Sequence, residues 1–304
     1  MAEDMRVSVG STPPSSYVAL ARAQFASRPP ALAVAKAALT WDEWSATRVI
    51  SANLDTPVLS GVIWATDRPT SRRRTAQRLL MQRILRRARG LWVLSEAQLP
   101  HLQQWLGPGA PTSRYIRFGI DEDFFQLADY PSDPLIVSVG GDRDRDTASL
   151  YKALGSVADT HPAVRAIVQT SSPLPPPPNT TAVPHLSHIE LRELYRRATV
   201  VVVATLPNLH ASGMTVSLEA MATGRPVVIT ATPGLEDYIE DGATGTLVRS
   251  HEPQGLARAI SRYLDAPAAA AEAGKMGREK VLRDHRSTSM AAELAKFARQ
   301  VLRS

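Results

Sequence analysis

The chain has 304 residues, 44% hydrophobic and 21% charged, enough for one large or two ordinary globular domains. It contains no cysteine, which excludes disulfides, thiolate metal sites and thiol catalysis, and no apolar run approaches the ~20 residues of a membrane span. The net charge of +6 is uneven: residues 68–89 hold nine arginines and no acid, leaving 26 basic against 29 acidic residues elsewhere. So concentrated a stripe points to an anionic partner surface.

Met1-Ala-Glu-Asp-Met-Arg6 lacks the apolar core of a leader peptide, so none is expected. Met5–Val9 reads as a strand, Gly10–Ser16 as a turn and Tyr17–Ala26 as a helix, while the Ala-rich stretch 31–39 suits another helix. Val49-Ile50 and Val58–Trp64 read as strands, the second running out to Asp67. Sites of α/β proteins gather in loops beyond strand C-termini, so Asp67 and Arg68 are candidates, beside the plainer reading of Asp67 as a turn residue. Ser71–Arg89 is predicted helical, with Ala76, Leu80, Ile84 and Ala88 as a buried stripe and most arginines on other faces. Gly90 stops it, Leu91–Leu94 is a strand, and Ser95 is placed to cap the next helix. Arg114–Phe118 is a further strand. Pro131 and Pro134 lie in an aperiodic stretch, 126–134, which marks a domain boundary.

Leu135–Val139 restarts the alternation of strand and helix, and its loop, Gly140-Gly-Asp-Arg-Asp-Arg-Asp146, leads into a helix around Leu150–Val157. Two glycines and two arginines at a strand end suit phosphate, although the loop also reads as a solvated one whose signs cancel. Val164–Gln169 is a strand, Pro173–Pro178 a stiff surface connector, and Ile189–Ala198 a helix. The apolar run Thr199–Ala204 is a buried strand. Ser212-Gly-Met-Thr215 then enters a helix that Gly224 closes, and Pro226–Thr230 is the next strand. A helix start behind a buried strand carries unpaired N–H groups and a positive dipole end, so it can hold phosphate. Glu219, one turn beyond Thr215, adds an acceptor-only carboxylate suited to a hydroxyl pair such as a ribose. Leu247-Val248 is a strand, and helices over 256–264, 268–284 and 288–302 finish the chain. The sum is two consecutive βα domains, each with its own parallel sheet.

From about Leu135 to Arg283 the chain resembles the donor-binding domain of retaining glycosyltransferases of the GT-B architecture, specifically glycosyltransferase family 4. The resemblance rests on Val137-Ser-Val-Gly140, Leu194-Tyr-Arg-Arg-Ala198, Leu218-Glu-Ala-Met-Ala-x-Gly-x-Pro-Val-Val228, Gly234-x-Glu236 and Asp241-Gly-x-x-Gly245. The first half matches through Val93-Leu-Ser-Glu96 and Phe118-Gly-Ile-Asp121. The implied fold is α/β, two Rossmann-like βα domains facing a central cleft. Residues 1–130 form the acceptor-side domain and 131–287 the donor domain, with a last helix of about 288–304 packing back on the first.

The resemblance implies transfer of a sugar, with retention, from a UDP- or GDP-sugar to an acceptor hydroxyl. Glu219 matches the second glutamate of the family's E-x7-E motif, which goes with the nucleotide ribose. Gly213, Met214 and Thr215 match the helix start under the diphosphate and sugar, and Gly140 and Gly141 the glycine loop. Arg143 or Arg145 stands for the basic residue that neutralises the diphosphate, with Arg145 the better fit. Ala211 occupies the place of the first glutamate, so His210 or Ser212 is expected to face the donor sugar. Asp67 stands near the loop that carries a histidine in the family; the candidate catalytic set is therefore Asp67, Arg145 and His210. Glu236 is expected to support its loop as much as to touch ligand. Asp121-x-Asp123 and Asp142-x-Asp144 match metal-type pairs by letters, but Arg143 and Arg145 compete with a cation, and His185 and His188 lack a third ligand. No metal and no cofactor besides the donor are expected.

The acceptor side falls to the arginine-rich helix, through Arg68, Arg72, Arg73 and Arg74. Polyanionic candidates are modified DNA of the phage type and a membrane or cell-envelope glycolipid; a small-molecule natural product and a plain solvated face are the other readings. The expected location is cytoplasmic, peripheral to the inner membrane face. Two further classes stay open: a nucleotide-sugar binding module without catalysis, suggested by Ala211, and a phosphorylase or epimerase of the same architecture.

Overall fold

A computed structural model describes residues 35–52, 55–67 and 71–303. The strand expected at Met5–Val9, the helix at Tyr17–Ala26 and the candidate Arg68 lie outside the described residues. The chain divides into two compact units: unit 1 is residues 1–94, 98–115 and 295–304, and unit 2 is 95–97 and 116–294.

Among the described residues, unit 1 carries a parallel four-stranded sheet in the order β1-β2-β3-β4, from β1 (Ala38–Thr40), β2 (Val58–Gly61), β3 (Gly90–Val93) and β4 (Thr112–Tyr115). Between the strands run α1 (Glu43–Ala52), α2 (Arg72–Leu85) and α3 (Gln98–Leu106). Three expectations change here. Residues 38 and 39, expected at the end of a helix, form strand β1 with Thr40, and Ala38 is in register with Val58. Val49-Ile50, expected as a strand, lies inside α1. Asp42 caps that helix by accepting the N–H groups of Trp44 and Ser45, both at 2.8 Å, and its buried residues Glu43, Ala46, Thr47 and Ile50 recur at helical spacing. Helix α3 begins at Gln98, three residues past Ser95, and the Gln98 amide donates to Ile63 O at 2.7 Å and Thr66 Oγ1 at 2.8 Å.

The stripe of α2 is also displaced. Met81 and Leu85 are buried in the helix and Ala88 just beyond it, whereas Leu80 is 48% exposed and Ala76 is exposed. A row taken every fourth residue drifts by about 40° per step around a helix of 3.6 residues per turn. From Ala76 to Ala88 that drift exceeds a quarter turn, so only the end of the row reaches the core.

Unit 2 is a six-stranded parallel sheet in the order β10-β9-β8-β5-β6-β7. Its strands are β5 (Leu135–Ser138), β6 (Arg165–Gln169), β7 (Thr180–Val183), β8 (Val200–Val203), β9 (Val227–Thr230) and β10 (Gly245–Val248). The helices are α4 (Thr147–Thr160), α5 (His188–Arg197), α6 (Met214–Ala222), α7 (Pro253–Asp265), α8 (Pro267–Asp284) and α9 (Ser287–Arg303), whose residues from 295 on count with unit 1. Every residue of β5, β8 and β9 is buried, as central strands covered on both faces require. Ile136, Val200, Val202 and Val228 share one core with Leu150 and Leu154 of α4 and Leu256 and Ile260 of α7.

The segment 116–130, expected in the first domain, counts with unit 2. Ile120 pairs with Arg286, Phe125 packs edge-on to Tyr195 at 6.0 Å, and Arg278 Nη1 donates to the carbonyls of Glu122, Phe125 and Ala222. His285 is fully buried there; its Nδ1 lies 3.0 Å from Phe118 O, its ring is 5.1 Å from that of Tyr238, and burial lowers its pKa to about 4.

Candidate functional site

Unit 2 reverses its strand order between β5 and β8, and ligands of open parallel sheets bind at that point, beyond the carboxyl ends of the strands. The two loops that leave these strands are 139–146 and 204–213. They are laced together: Asp146 N donates to Ala204 O at 3.0 Å, Leu206 N to Asp144 O at 2.8 Å, and Arg145 bridges to Thr205. The sequence-predicted residues Gly140, Gly141, Arg143, Arg145, His210, Ser212, Gly213, Met214, Thr215 and Glu219 all belong to this corner of unit 2.

Gly213 is the N-cap of α6, with φ 96°, and provides no side-chain cap. Both its conformation and its surroundings demand glycine, because a Cβ would lie 2.6 Å from Val203 Cγ1 and 2.8 Å from Ile229 Cδ1. Met214 N donates to Ala211 O at 3.0 Å, which leaves the N–H groups of Thr215 and Val216 in the first turn for an anion. Thr215 is the one residue of α6 that is not buried. Glu219 lies one turn further along the same face.

Gly140, with φ 102°, lets Arg145 fold back across its own loop: a Cβ there would be 2.1 Å from Arg145 Nη2 and 3.2 Å from Val216 Cγ2. The Arg145 guanidinium thus sits beside the first turn of α6. Its Nε and Nη1 are buried and have no hydrogen-bond partner. Burial lowers its pKa, opposed by Asp142 and Tyr195, without bringing an arginine near neutrality at physiological pH. A charged donor fork with two unused nitrogens is a ready anion ligand. Arg143 differs: it is exposed and lies 3.5 Å from Asp144. A Cβ on Gly141 would meet nothing within 4 Å, so the space before the loop is open. The N–H of Gly140, however, donates to Gln169 Oε1 at 3.0 Å. Gln169 is a second support of the loop that its sequence position, at the end of β6, did not signal.

Glu219 is 9% exposed, and its Oε2 accepts the hydroxyl of the fully buried Tyr195 at 2.8 Å. Burial raises its pKa to about 7, with the Tyr195 hydrogen bond acting the other way. Tyr195 is pushed up by its own burial and by the neighbouring carboxylate. Arg225, fully buried, fixes the backbone around it by donating to Tyr195 O at 3.0 Å and to Arg196 O and Asp129 O, both at 2.7 Å. Tyr195 and Arg225 emerge only from the structure.

His210, 4% exposed, places Nε2 3.2 Å from Asp142 Oδ2 and 3.5 Å from Asp144 Oδ2. Burial opposes ionisation of Asp142, but hydrogen bonds from His210 and from the Asp144 backbone hold its carboxyl well below the usual range. The histidine thus engages the Asp-x-Asp pair more closely than the interleaved arginines do. Ser212 N donates to Asn208 Oδ1 at 3.0 Å. Between these two, Ala211 is fully buried at φ 50°, a left-handed conformation that costs a residue with a Cβ about 1–2 kcal/mol. Glu236 is exposed and accepts the N–H of Gly234 at 2.9 Å, so it holds its loop. Asp121 likewise shapes a turn, accepting from Asp123 N at 3.1 Å and Phe124 N at 2.9 Å.

The remaining candidates are in unit 1. Asp67 is half-buried beyond β2, and its N–H donates to Trp64 O at 3.1 Å. Arg72, Arg73 and Arg74 are exposed in the first turn of α2, after the cap Ser71. Among the described residues of the unit, the most enclosed acid was missed in sequence: Glu43, 1% exposed, accepts the N–H groups of Ile63 and Trp64, both at 2.8 Å, and burial raises its pKa.

Residues 137–266 match the family described as Glycosyl transferases group 1. Among curated proteins, a D-inositol 3-phosphate glycosyltransferase of Streptomyces griseus is 42% identical over 84 residues, which is 28% of this chain and 17% of that protein. A glycogen synthase of Mycobacterium tuberculosis is 36% identical over 105 residues, 34% of this chain and 25% of that one. The chain thus matches no more than about a quarter of the length of these relatives. Sucrose-phosphate synthase from Thermosynechococcus elongatus superposes with a TM-score of 0.70 at 22% identity, over 86% of this chain and 73% of that one. HepE of Anabaena, solved in complex with UDP and glucose, superposes with a TM-score of 0.71 at 16% identity, over 86% and 77%. Two Rossmann-like units in one chain, superposing on these structures, make this a GT-B fold in which residues 137–266 are similar to the Glycosyl transferases group 1 family.

Proposed function

We propose that the protein is a retaining glycosyltransferase of family 4 that moves a sugar from a UDP- or GDP-sugar to an acceptor hydroxyl. The observation that carries the reading is Arg145, whose Nε and Nη1 are buried without partners beside the uncapped start of α6. In this reading the diphosphate lies across that start, and Glu219 accepts the ribose hydroxyls. The bond from the anomeric carbon to the diphosphate breaks as the acceptor oxygen bonds to the same face, and the acceptor proton leaves with the diphosphate. Arg145 and the α6 dipole take up the leaving charge, donors fixed before the reaction begins. His210 and Ser212 face the sugar in place of the carboxylate absent at Ala211. Asp67 and the arginines of α2 belong to the acceptor side, and the protein works in the cytoplasm. No metal or cofactor enters the scheme. HepE, solved with UDP and glucose, supports the donor class.

The test is thermal denaturation against a panel of UDP-, GDP- and ADP-sugars. A ligand at about 100 times its Kd stabilises by ~2.7 kcal/mol. Glu219→Ala is expected to lose most of the shift and Arg73→Ala to keep it; a normal shift in Glu219→Ala refutes the assignment. Ala211 favours one other reading, donor binding without transfer, and turnover with candidate acceptors distinguishes the two.

A further inference from the structure

The nine arginines of residues 68–89 do not act alike. Arg78 donates from Nε to Ala65 O at 2.9 Å and stacks over Trp105 at 5.1 Å. Arg86 donates to the carbonyls of Leu106 and Pro108, and Arg89 donates from Nε to Val301 O at 2.8 Å. These three tie α2 and its C-terminal turn to the rest of unit 1. Arg72, Arg73, Arg83 and Arg87 have exposed side chains and no ion-pair partner among the described residues.

Those four share a face with apolar residues. Met81 and Leu85 point α2 into the core. At about 100° per residue, Arg72, Ala76, Leu79, Leu80 and Arg83 fall on the opposite side, Arg73 lies next to Leu80 at its margin, and Arg87 is in the turn that follows the helix. Leu79 is 57% exposed and Leu80 48%. The first turn is rich in cations and holds no acid, at the helix end whose dipole disfavours them, so helix stability does not account for them. Arginines near an anionic bilayer gain about 1 kcal/mol each from lipid phosphates, and exposed leucines between them can enter the headgroup layer.

We propose that this face of α2 docks the protein on an anionic membrane surface, with Leu79 and Leu80 entering the headgroup region and Arg72, Arg73, Arg83 and Arg87 pairing with lipid phosphates. The leucine pair decides against nucleic acid, whose backbone would use the arginines but offers those side chains no apolar layer. The surface belongs to unit 1, and vesicle binding is read without any transfer reaction.

The experiment is co-sedimentation of the full chain with vesicles of phosphatidylcholine alone and of phosphatidylcholine with phosphatidylglycerol, across a salt series. Binding is expected only to the anionic vesicles, falling as salt rises. Arg83→Gln with Arg87→Gln should weaken partitioning roughly fivefold for each arginine removed. Leu79→Gln with Leu80→Gln should weaken it by about tenfold while leaving the charge intact. All four positions are exposed, and matched melting curves check that the variants fold. Absence of binding, or equal binding to both vesicle types, overturns the proposal. So does a leucine variant that binds like the wild type; if duplex DNA then binds in an arginine-dependent way, the face is a nucleic-acid surface.

Discussion

Replacing Glu219 by Gln separates the cost of burying this carboxylate from its use. The pKa of Glu219 stands at about 7 in the fold, against an ordinary value of 4.5. A carboxyl raised in the folded state contributes stability below pH 4.5, and that contribution is lost as pH rises through 7. The difference of about 2.5 units corresponds to about 3 kcal/mol. The side-chain amide of the Glu219→Gln variant keeps an oxygen to accept the Tyr195 hydroxyl but does not titrate. The stability of Glu219→Gln relative to wild type should therefore climb by about 3 kcal/mol between pH 4.5 and 8, which is roughly 6–12 °C in Tm for a unit of this size. Other groups titrate alike in both proteins and cancel. Nucleotide binding should move the opposite way. Ribose hydroxyls donate to the ionised carboxylate, so wild-type affinity rises with pH up to about 7, while the variant binds weakly at every pH. Melting curves of both proteins from pH 5 to 9, with and without UDP and GDP, read both effects. A stability difference that does not vary with pH refutes the burial argument, and nucleotide affinity equal to wild type refutes the assigned role.

Three further outcomes are expected. His285 has a folded pKa of about 4 against 6.5, so the unfolded chain takes up its proton first; about 3 kcal/mol of stability should vanish as pH falls from 6.5 to 4, and denaturant titrations of His285→Phe should lack that step. Gly140→Ala puts a Cβ where Arg145 Nη2 now lies, so calorimetry should show UDP affinity reduced by roughly tenfold or more with uridine affinity nearly unchanged. Ala211→Gly relieves the left-handed φ of 50°, and equilibrium unfolding should show a gain of about 1 kcal/mol.

The parts legible in the sequence were those whose signal is local. Leu135–Val139, Thr199–Ala204 and Pro226–Thr230 are largely apolar runs, and the structure buries their strands in the unit 2 sheet. The start of α6 was legible because a glycine there breaks the pattern between strand and helix. Strand β7 was not: Thr180–Val183 lies at the sheet edge, half in water, and needs no apolar run. Val49-Ile50 misled because two β-branched residues look alike in a strand and in a helix, and the Asp42 cap that decides the matter stands seven residues earlier. The partners of the site were out of reach for another reason. Tyr195 meets Glu219 across 24 residues, and Gln169 reaches Gly140 across 29. Only the order of the strands in the sheet joins them.

The unmatched guanidinium of Arg145 also bears on how the protein should be handled. A buried donor without a partner costs roughly 1–3 kcal/mol, more when charged. Unit 2 therefore offers any small oxyanion of the medium the donors it holds for a diphosphate. Its melting temperature is a property of protein and buffer together, higher in phosphate or sulfate than in a zwitterionic buffer at equal ionic strength. A nucleotide screen run in phosphate would begin with the corner already filled.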